Sequence, residues 1–170
     1  MTSMLERMTQ TLRISALSAA SIGLLSLTGC AGGADTEAFC DFTVTLEERF
    51  TAVETQPSEE DLAAAQEGDF SGFNQWGESA GTDVQQLRDD LAAAKDGAPD
   101  EASEEALTLF QAATDTVYEV TQLAAEADDL ETFFADADEQ YVALEEELGS
   151  VEEDPEITLV AATEEHCAAE

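Results

Sequence analysis

Basic residues are nearly missing from this chain: Lys and Arg number 5 in 170 residues, against 40 Asp and Glu, for a formal net charge of −35. Phosphate neutralisation needs a basic face, so nucleic acid is excluded as a partner. Histidine occurs once, at His166, which excludes multi-histidine metal sites and paired-histidine chemistry. Alternating runs of Val, Ile and Thr bounded by hairpin turns are absent, so strands have no support. The glycine and histidine signatures of nucleotide-binding, hydrolase and zinc-protease sites (GxGxxG, GxxxxGK[ST], GxSxG, HExxH) are also absent. Cysteines number three and none forms a CxxC pair. These absences leave one helical domain with no catalytic constellation and no cofactor motif.

The chain does carry an address. Arg7 and Arg13 precede the apolar, small-residue run Ile14–Leu27. That run is shorter than the ~20 residues a bilayer span requires, and it has the form of a signal-peptide core. It ends in Leu27-Thr28-Gly29-Cys30. These four positions and the signal before them resemble bacterial lipoproteins, whose lipobox has this pattern. The resemblance implies that Cys30 receives a diacylglyceryl group and becomes the first residue after cleavage. It predicts a signal peptide over 1–29, a short lipidated tether over 30–35 and a helical domain over 36–170. The expected location is the cell membrane, extracytoplasmic face, with the bilayer as the one partner implied.

Helical spacing runs through the domain. Phe39, Phe42, Leu46, Phe50 and Val53 form one stripe over Thr36–Glu54, and Ser58 can cap a short helix through Ala65. Thr82 with Gln85 has the form of a capping box for Thr82–Lys95, whose stripe is Val84, Leu87 and Leu91. Asp100 opens a helix carrying Leu107, Phe110, Thr114, Val117, Thr121 and Ala124 on one face. A turn near Asp128-Asp129 separates it from the seam Leu130, Phe134, Ala137, Tyr141, Leu144 and Leu148. Gly149 stops that helix, and Asp154-Pro155 starts a last one with Ile157, Val160 and Cys167 inward. The expectation is an all-α antiparallel bundle of about four long and two short helices, closed by one disulfide.

With Cys30 assigned to lipid, Cys40 and Cys167 remain as an even pair in an exported chain, and they are expected to be joined. Beyond Gly29 there are 39 acidic side chains (all 40 but Glu6) and three basic ones, Arg49, Arg88 and Lys95, a balance of −36. Such a surface is solvated and self-repelling. Asp136, Asp138 and Glu139 lie inside a predicted helix without the glycine of a calcium loop, so no metal site is expected.

Phe70, Phe73 and Trp76 stand at steps of three between Gly68 and Gly77. They can fold back as a plug for the bundle end, or form a contact surface on a loop. Two functions follow: a non-catalytic binding or scaffolding role at the envelope, or the carriage of a cation or small ligand in an inter-helix pocket near Trp76.

Overall fold

A computed structural model describes residues 34–53, 56–149 and 154–167. The proposed signal peptide and Cys30 lie outside the described residues. Seven helices are found among them: α1 Ala34–Val44, α2 Leu46–Val53, α3 Glu59–Gln66, α4 Ser71–Asp96, α5 Glu101–Ala125, α6 Leu130–Leu148 and α7 Pro155–His166. The described chain is all-helical, as expected.

The spine is the antiparallel pair α4 and α5. Gly77 faces Ala124 and Ala125, Gly81 faces Thr121, and Arg88 faces Asp115. Against α4 lie α1, α2 and α3; against α5 lie α6 and α7; and α1 also meets α7. The main core gathers Phe39, Phe42, Leu91, Leu107, Phe110 and Leu159, with Phe50 and Val53 packed against it.

Several boundaries follow from local chemistry. Ser58 accepts from the Asp61 N–H at 3.0 Å, Asp100 from the Ser103 N–H at 2.8 Å, and Asp154 from the Glu156 N–H at 3.0 Å with Pro155 in the first turn. Asp129 accepts from the Thr132 N–H at 2.8 Å, at the expected turn before α6. Gly68 follows α3 with φ +94°, a conformation that favours glycine.

Four expectations need correction. The predicted helix Thr36–Glu54 is broken at Thr45, giving α1 and α2 and leaving three long helices (α4, α5, α6) with four shorter ones. Thr45 donates its hydroxyl to Asp41 O at 2.8 Å and Thr43 to Phe39 O at 3.0 Å, so hydroxyls compete with amides for the carbonyls there.

The predicted start at Thr82 lies inside α4, which begins eleven residues earlier. Thr82 donates its hydroxyl to Glu78 O at 3.0 Å, as a mid-helix threonine does. The glycines that suggest a loop serve packing instead. A methyl on Gly77 would lie 2.5 Å from Ala125 N and 2.9 Å from Thr121 O.

At the start of α6 the buried phenylalanine is Phe133, not Phe134. Phe133, Ala137, Tyr141 and Leu144 are buried, eleven residues in three steps, which follows a straight helix of ~3.6 residues per turn rather than a seven-residue seam.

On α7 the inward residues are Leu159 and Ala162, whereas Ile157 is 65% and Val160 49% exposed. Cys167 sits just past the last helical residue, so the helix phase does not set its direction. Apolar residues also surround α7, and periodicity therefore fails to select a face.

Candidate functional site

Cys40 and Cys167 are joined, with their Cα atoms 5.4 Å apart and a sequence separation of 127. Both are buried within the main core, so the bond clamps α1 to the end of α7 from inside. The sulfur beside His166 is thereby consumed and offers no nucleophile. His166 Nε2 lies 3.9 Å from Asp100 Oδ2, a surface contact between the end of α7 and the start of α5.

The aromatic segment divides. Phe73 is 1% exposed and meets Phe133 of α6 edge to face, with ring centres 5.1 Å apart. Buried in this way, Phe73 offers no contact surface. Phe70 and Trp76 are half-buried and flank it, at 6.4 Å and 5.6 Å between ring centres. Trp76 belongs to α4 rather than to a loop, and Phe70 is the capping residue just before that helix. Between them Asn74 donates its amide to Ala125 O at 2.8 Å and Ala127 O at 3.2 Å, closing the carbonyl end of α5.

The two described arginines both join helices. Arg49 of α2 pairs with Asp90 of α4 and stands over the Phe42 ring. Arg88 of α4 meets Asp115 of α5 at 2.5 Å and stacks 4.5 Å from the centre of the Tyr118 ring. On so acidic a surface these cations bind the chain to itself.

Carboxyl groups divide by environment. Asp69, Asp100 and Asp129 sit below the ordinary carboxylate range because backbone or hydroxyl donors bind their charged form: Ser71 for the first, Ser103 for the second, Thr132 for the third. Glu156 moves the other way. Burial raises it first, and the charges of Asp154 and Glu47 add to that. Tyr141 is pushed up to about 12 by burial.

Among the described residues, no three His, Cys, Asp or Glu side chains converge to hold a metal ion. No helix among them is long and apolar enough to cross a membrane. Sequence spacing missed Gly77, Gly81 and Phe133. The glycines were legible as a pair four apart within an otherwise helical run, a spacing that puts both on one face. No family model, curated protein or solved structure matches the chain.

Proposed function

We propose that this is a lipid-anchored protein of the extracytoplasmic face of the cell membrane, with a non-catalytic binding or scaffolding role. One observation carries the reading: the chain has three cysteines, and the Cys40–Cys167 bond occupies two of them. The third, Cys30, is the one that ends the lipobox-like Leu27-Thr28-Gly29-Cys30. A buried disulfide suits an oxidising compartment outside the cytoplasm, and two acyl chains with a modified Cys30 give stable anchoring. The acidic domain repels anionic headgroups, so the lipid is what holds the protein at the bilayer.

Intact mass spectrometry of the membrane fraction tests the anchor. The expected product begins at a diacylated Cys30, and Cys30→Ala leaves an uncleaved or released chain. A native, unmodified N-terminus would overturn the reading. Cross-linking on membranes with the anchor kept is expected to capture a defined partner protein, and turnover of a substrate by the purified protein would refute the non-catalytic role.

A further inference from the structure

The solvent side of α7 holds the greatest aliphatic exposure among the described residues. Ile157 and Val160, three apart, lie side by side on it, and Ala161 and Glu164 continue the same exposed side. Val44, 60% exposed, ends α1, the helix against which α7 is clamped. The flanks of this ridge are acidic. At one end Glu156 has its proton affinity raised by burial first, and the charges of Asp154 at the cap of α7 and Glu47 of α2 add to that. Both described arginines are committed elsewhere, to Asp90 and Asp115.

An apolar ridge set in crowded carboxylates fits one kind of occupant. A second copy of the chain would bring its own −36 side-chain balance against this one, and an anionic bilayer would meet the same repulsion. A cationic surface relieves the crowding while it covers the aliphatics. An i, i+3 ridge fits between the side chains of a second helix. We infer that the outer face of α7 docks a cationic amphipathic helix of a partner protein. The apolar side of that helix lies on Ile157 and Val160, with Lys or Arg against Glu156 and Glu164. This rests on the binding role proposed above and gives its partner a chemistry.

The test uses the processed, lipidated protein in neutral detergent and a labelled amphipathic Lys/Leu helix as the probe. A peptide of the same composition, scrambled to lose its apolar face, is the control. Fluorescence anisotropy should show saturable one-to-one binding, with the scrambled peptide at least about tenfold weaker. Replacing Ile157 and Val160 together by Ser should weaken the probe about tenfold, and Glu164→Lys should weaken it too. Val142→Ser, on the exposed side of α6, should leave it unchanged. Equal binding of both peptides, or equal binding by the Ser variant, would reduce the effect to charge condensation and overturn the inference. So would no binding at all. A partner captured on membranes whose contacts avoid α7 would leave the binding role standing while this inference fell, so the two failures are distinguishable.

Discussion

Helices α6 and α7 pack on the same helix, α5, and they are held there by different means. Helix α6 has 19 residues and buries Phe133, Ala137, Tyr141 and Leu144, with no covalent tie. Helix α7 has 12 residues and buries only Leu159 and Ala162, but the residue that follows it is bonded to Cys40. Burying a Leu or Phe side chain contributes roughly 1.5–3 kcal/mol, so four inward residues on α6 outweigh the ordering of one helix more readily than two on α7. Of these two helices, the one with fewer buried side chains is the one that carries the disulfide.

Loss of the Cys40–Cys167 bond should separate the two helices most clearly. In the chain-entropy view a loop of 127 residues is worth about 5 kcal/mol. Substituting Cys40 and Cys167 by Ser should therefore lower the chemical-denaturation midpoint steeply. Hydrogen exchange should quicken in α7 first, while α6 keeps its protection. Equal loss of protection in both helices would mean that α6 also depends on the bond.

Helix α6 should respond instead to truncation of its buried ring. Phe133→Ala removes a ring that meets Phe73 and Phe134, and should cost about 3–4 kcal/mol. Phe134→Ala removes a half-buried ring and should cost about 1 kcal/mol. Thermal melting of the two variants distinguishes the observed face from the seven-residue seam, which predicts the reverse order.

A third effect is one of pH. Tyr141 is raised by burial to about 12, from an ordinary value of 10.0. Both folded and unfolded chains hold the phenol proton below pH 10, so this group is neutral in the balance there. Between about pH 10 and 12 the unfolded chain releases its proton first, and stability falls by on the order of 2–3 kcal/mol. Tyr141→Phe should flatten that part of the profile in denaturant titrations from pH 9 to 12. An unchanged slope would place the phenol in water.

Much of this was legible in residue spacing. The caps at Ser58, Asp100 and Asp154, the turn before α6 and the Cys40–Cys167 pair all rest on local chemistry or simple parity, and each is found where expected. What escaped was decided by a neighbouring element. The glycines at 77 and 81 disfavour a helix by their own propensity, and only the backbone of α5 lying against them accounts for their place inside one. Ile157 and Val160 have the right spacing for a core face, but Leu159 and Ala162 have it equally, and contact with α1 and α5 chose between them. The aromatic segment could not be sorted from spacing because Phe73 needs Phe133, sixty residues on, to become interior.

The glycine pair also works as a keyway between the two spine helices. Shifting α4 by one turn in one direction would carry Phe73 to the place of Gly77, where the backbone of Ala124 and Ala125 leaves no room even for a methyl group. Shifting it the other way would bring Gln85 to the place of Gly81, against Thr121. Only one setting of the pair passes glycine at both crossings. An Ala-rich, acidic helix that could otherwise slide along its neighbour is thereby indexed to a single notch, and the cysteines, arginines and rings that depend on that setting meet their partners in step.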